Sequence, residues 1–179
     1  MNKGFGNEFN KKNNNQNKNL LVEDIELSAQ TKKAIFLARE GKLLESAKIY
    51  NDLIYKGKFN HLTFHRLAGI YERLGKRKEA FQCLQKAINV KKNYAEAYCN
   101  MGLTLQCLGK LDDSINAFHK YILINPNNAE GYNNMGVILK NQGELCKAIK
   151  AFEKAILLKP RYAEAYRNLG VALNDIGML

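Results

Sequence analysis

The sequence predicts an all-α fold of stacked antiparallel helix pairs, and three observations predict it. The first is internal repetition: Ala-Glu-Ala-Tyr-Cys-Asn-Met-Gly (95 to 102) returns 34 positions later as Ala-Glu-Gly-Tyr-Asn-Asn-Met-Gly (129 to 136), and again, cut short, from Ala163. The second is spacing. Tyr98, Gly102 and Leu105 recur at steps of four and three, as do Ala97, Met101, Thr104 and Leu108, which makes two adjacent faces of one helix apolar or small. The third is punctuation, with glycine at 41, 75, 109 and 143 and proline at 126 and 160 marking the ends of helices.

The unit 95–128 shows how each element arises. Its first helix ends at Gly109-Lys110, and Leu111-Asp112-Asp113-Ser114 opens a second one carrying Ile115, Phe118, Ile122 and Leu123. Gly102 and Ser114 are small where the two helices cross, and Phe118 is expected to fill the space beside them. Pro126 has no N–H with which to continue, so the unit closes there.

In chain order, residues 1–26 form an Asn- and Lys-rich tail with too little apolar surface to offset the entropy of ordering, and disorder is expected. The array then occupies 27–179, as units 27–60, 61–94, 95–128 and 129–162 and a partial unit 163–179. Departures concentrate at the start: Lys58 and Lys92 stand where the later units have proline, and Gln30 replaces the early aromatic. Leu20, Leu21, Val22 and Ile25 are expected to extend the first helix and shield that end. Tyr121 occupies the slot of Ala87 and Ala155, and Gly131 is expected to supply the room for its ring. In the partial unit Tyr166, Gly170 and Leu173 form an apolar strip with no second helix to cover it. That strip predicts a longer array or end-to-end self-association through 163–179.

The 34-residue unit resembles the tetratricopeptide repeat, and the resemblance covers 27–179. It implies a right-handed superhelical solenoid whose first helices line a concave, ligand-binding groove. The Asn-Met-Gly and Asn-Leu-Gly segments are also similar to the repeat superhelix of the O-linked N-acetylglucosamine transferases.

Composition narrows the function classes. Cys83, Cys99, Cys107 and Cys146 lack C-x-x-C spacing, so they read as free thiols rather than a zinc site or a disulfide framework. His61 and His65 lie one helical turn apart without a third ligand, and no catalytic or phosphate-binding constellation emerges. The expectation is therefore no enzyme, no metal and no cofactor. With no secretory signal and no bilayer-length apolar run, a cytoplasmic location is expected. The net charge of +11 comes mainly from the first two units, which favours an acidic protein or peptide partner. Tyrosines in core slots and few arginines argue against nucleic acid.

The resemblance assigns the groove to first-helix residues without a core role, among them Asn133, Asn134 and Asn141. The sixth residue of successive units reads Lys32, Arg66, Asn100, Asn134, Asn168, and a line of asparagine amides can pair with the backbone of an extended peptide. The family's carboxylate clamp, which grips a chaperone's C-terminus with lysine, arginine and asparagine, is incomplete here: Thr31 and Ile35, or His65 and Gly69, stand in its slots. Arg66 and Arg73 remain available to another acidic group. The expected function is a protein-interaction scaffold, with the substrate-selecting arm of a larger modifying enzyme as the alternative.

Overall fold

The computed structural model describes residues 28–177, so the expected tail and the Leu20–Ile25 extension lie outside the described residues. All regular structure within them is helical: α1 (28–39), α2 (Leu43–Tyr55), α3 (His61–Arg73), α4 (Arg77–Val90), α5 (Ala95–Cys107), α6 (Leu111–Ile124), α7 (Ala129–Asn141), α8 (Leu145–Leu158) and α9 (Ala163–Asp175). The chain divides into two compact units, Met1–Phe59 and Asn60–Leu179.

In the first unit α1 and α2 form one pair. Ala34 and Leu37 on α1, and Ala47, Tyr50 and Leu53 on α2, are buried. Ser46 Oγ donates to the Ala34 carbonyl at 2.7 Å, which places the two backbones in close approach. After α2 the chain turns through Gly57 at φ +70, with Lys58 N–H bonded to Leu53 O and Gly57 N–H to Ile54 O, the paired pattern that closes a helix on a left-handed residue. Gly57 lies outside the 34-residue frame, since Lys91, Asn125 and Lys159 hold that slot elsewhere. This turn stands beside the slot where Lys58 replaces proline.

In the second unit α3 with α4, α5 with α6 and α7 with α8 form pairs joined by three-residue turns. Gly75, Gly109 and Gly143 carry φ of 72, 72 and 80, which an L side chain rarely adopts. Where α5 crosses α6 and α7 crosses α8, the expected packing is present: a Cβ built on Gly102 would lie 2.7 Å from the Phe118 ring, and one on Gly136 would lie 2.6 Å from Phe152. Ser114 Oγ donates to the Gly102 carbonyl at 2.7 Å, repeating the Ser46 bond of the first unit. Phe118 and Phe152 are fully buried, and each stabilises its pair by about 1.5–3 kcal/mol through burial alone. Between pairs the Tyr121 ring lies on Gly131, 2.8 Å from where a Cβ would be, so the missing side chain does make room for the extra aromatic. Helix α9 docks on α8 through Ala165 and Ala172, packed with Ala155 and Phe152.

Candidate functional site: the open face of the first helices

Within Asn60–Leu179, side-chain hydrogen bonds tie the first helix of one pair to the first helix of the next. Between α3 and α5, the Asn100 amide donates from Nδ2 to His65 Nε2 at 2.8 Å. A neutral His65 ring then carries its proton on Nδ1, from which it donates to the Tyr94 hydroxyl oxygen at 2.8 Å. Further along the same helices the Thr104 hydroxyl reaches Glu72 Oε1 at 2.6 Å. Between α7 and α9, Asn168 Nδ2 donates to Asn133 Oδ1 at 3.0 Å, and Asn133 Nδ2 donates to Glu164 at 3.4 Å. Tyr162 joins that cluster through hydrogen bonds with Asn133 and Glu164.

The two clusters are the same construction placed two units apart: His65, Tyr94, Glu96 and Asn100 correspond to Asn133, Tyr162, Glu164 and Asn168. At the α5–α7 junction between them, Cys99 stands in the slot of His65 and Asn133, and Asn128 in that of the tyrosines. Asn128 caps α7 instead, accepting from Gly131 N–H at 3.0 Å.

Electrostatics follow from partial burial. Desolvation lowers the His65 pKa, opposed by Glu96 and reinforced by Arg66 and His61. Burial raises Tyr94 and Tyr162, and the nearby carboxylates Glu96 and Glu164 respectively add to it. Burial likewise raises Cys99 and pushes Cys83 up to about 11, so neither is an activated thiol. His61 and His65 both set their rings edge-on to Tyr94, with centroids 4.8 and 5.1 Å away. Both ring nitrogens of His65 are thus engaged within the protein.

A cleft of about 280 Å³ opens between α3 and α5, with Ala68 and Leu84 as buried lining and Gly69, Glu72, Asn100, Leu103, Thr104 and Cys107 completing it. It lies beside the first polar cluster, on the face expected to bind.

Models of the tetratricopeptide repeat match residues 95–128 and 117–150, and a further repeat model of the same kind matches 70–109 and 138–177. Together they run without a break from 70 to 177. The chain belongs to the tetratricopeptide-repeat family. The crystal structure of MamA is similar to it, with a TM-score of 0.77 and 26% identity over 81% of this chain and 85% of that one. YrrB, described as a repeat protein of this family with an unusual peptide-binding site, shares the fold at a TM-score of 0.72 and 22% identity, over 89% and 86% of the two chains. In sequence, an Hsp70-Hsp90 organising protein of Plasmodium falciparum is 31% identical over 64 residues, 36% of this chain. That match spans 25% of the relative's length. The fold is therefore the tetratricopeptide solenoid of paired helices.

In this family frame, the predicted site residues fall into four groups. Asn100, Asn134 and Asn168 occupy equivalent half-buried positions on α5, α7 and α9, with Arg66 at the same position on α3. Arg73 and Asn141 are exposed near the ends of α3 and α7. Lys32 is exposed on α1, in the other compact unit. Asn133 requires a correction: it has no exposed surface, and its amide is consumed by Asn168, Glu164 and Tyr162, so it supports the face from beneath. The ladder amides are also not all free, because Asn100 and Asn168 each commit one N–H to the preceding unit. Sequence reasoning placed His65 in a clamp slot and missed Glu72, Tyr94 and Thr104. A signal for some of them was present in the doubled period, since tyrosine precedes the Ala-Glu step at 94 and 162 but not at 128.

Proposed function

We propose that this chain is a protein-interaction scaffold without catalytic activity, and that the open face of α3, α5, α7 and α9 holds an extended peptide. The observation that carries the reading is the state of the ladder amides. Asn100 and Asn168 are held in fixed orientation by bonds to the preceding unit, while each retains an acceptor oxygen and a second N–H for a ligand's backbone. Asn134, whose neighbour at that offset is Cys99, keeps its whole amide. Groups that are already ordered lose little entropy on binding.

The lysine and arginine excess of 27–94 favours ligands with acidic residues, and Arg66 is the cation at the ladder position of α3. A free chaperone C-terminus is not the ligand the face suits, because His65 is tied to Tyr94 and Asn100 and Gly69 presents no side chain. Among the described residues no helix is long and apolar enough to cross a membrane. The four free thiols support a reducing, cytoplasmic setting. A peptide array followed by titration tests the reading. Asn134→Ala is expected to weaken binding about 2- to 10-fold, and unchanged affinity contradicts it.

End-to-end self-association is the second reading, carried by α9. Of the strip Tyr166, Gly170 and Leu173, Tyr166 is 51% exposed, Leu173 is half-buried, and Gly170 has nothing within 4 Å of a Cβ where Gly102 and Gly136 are covered by phenylalanine. Light scattering that shows a monomer across the micromolar range excludes it; mass that rises with concentration and falls back in Tyr166→Glu supports it.

A further inference from the structure

The cleft between α3 and α5 exists because of one missing side chain. Gly69 sits where the following units carry Leu103, Val137 and Val171, and a Cβ there would meet nothing within 4 Å. The opening leads down to Ala68 and Leu84, so its interior is apolar. At about 280 Å³ it is smaller than the roughly 300–1,000 Å³ of pockets that hold drug-sized molecules, and suits a single side chain.

Its polar rim is acidic in a basic protein. Of the lining residues none is a lysine or arginine, although the chain carries a net charge of +11. Glu72 is the only charged one, and the equivalent residues of later units are Gln106, Lys140 and Asn174. Its partner among the described residues is the Thr104 hydroxyl, an uncharged donor with one proton. A half-buried carboxylate with one neutral partner retains unmet acceptor capacity, and Asn100 keeps its Oδ1 beside it. Hydrogen-bond capacity and charge thus ask for the same thing, a cation at the end of an apolar stem.

We propose that this cleft is a specificity subsite for a lysine or arginine of the bound peptide, with the stem on Ala68, Leu84 and Leu103 and the cation on Glu72. The subsite rests on the groove reading above and adds a chemical preference to it.

Selection of a randomised display peptide library on the full chain tests this, with two variants in parallel. Glu72→Gln keeps an acceptor for Thr104 and removes the charge, while Gly69→Met fills the cleft from a position where the fold has space. The wild type is expected to enrich one fixed position in lysine or arginine. A synthetic copy of the enriched peptide should lose about 10-fold or more in affinity on Glu72→Gln or on replacing that residue by norleucine, and the two changes together should cost little more than either alone. Gly69→Met should abolish the preference. Enriched peptides without a basic position, or a basic preference that survives both variants, overturn the subsite while leaving peptide binding intact. If no peptide is enriched, the groove reading fails and the subsite with it.

Discussion

Asn133 and Asn134 are chemically identical neighbours with opposite roles. One step along a helix turns the side chain by about 100°, which carries Asn133 into the junction with α9 and leaves Asn134 on the open face. Asn133→Ala is therefore expected to destabilise the fold by about 1–3 kcal/mol by stranding the Asn168 amide and the Glu164 and Tyr162 groups, with Asn134→Ala within about 0.5 kcal/mol of wild type. Urea unfolding of the two variants checks the pair, and equal midpoints would contradict the geometry. Composition could not separate them, because both are asparagines in a chain rich in asparagine; the doubled period of the tyrosines was the available clue.

His65 gives the residue scale a pH dependence. Its pKa is lowered in the folded protein, mainly by burial, so below its ordinary value near 6.5 the unfolded chain binds the proton more readily than the folded one. Its contribution to stability is complete above pH 6.5 and declines as the pH falls through that value towards the lowered one. The protonated ring would also set an Nε2–H against the Asn100 N–H. Melting temperature should fall between pH 7.5 and 5.5, and His65→Asn, which copies the Asn133–Asn168 pair, should flatten that decline. An unchanged slope in His65→Asn would remove His65 as its source.

At the scale of the element, helix pairs were legible because their packing is local and repeated. Gly102 and Gly136, and the Phe118 and Phe152 that cover them, stand a fixed distance apart in sequence, and their pairing follows from helical spacing. Gly102→Ala and Gly136→Ala push a Cβ into Phe118 and Phe152, and each is expected to cost about 1–3 kcal/mol. Gly170→Ala meets open space, so it should stabilise by up to about 1 kcal/mol through helix propensity. Thermal melts of the three variants would contradict this account if all shifted in the same direction. Tyr121 with Gly131 carries the same logic to a junction between pairs: Tyr121→Ala should relieve the cost of Gly131→Ala, and strict additivity in a double-mutant cycle would dissolve the pairing. The junction bonds from α3 to α5 and from α7 to α9 were harder to foresee. They join residues 31 to 35 apart on different units, and no local pattern specifies which polar side chains will meet.

For the whole molecule, the claim that matters is that a ligand lies along the first helices and leaves the second helices bare. Two native thiols report on it without any mutation, since Cys107 lines the cleft at the end of α5 and Cys146 is exposed on α8. The alkylation rates of both, read by mass spectrometry with and without a saturating peptide from the display selection, test the claim directly. The peptide is expected to slow modification of Cys107 and leave Cys146 unchanged; slowing at Cys146, or no protection of Cys107 by a peptide that is bound, would contradict binding along the first helices.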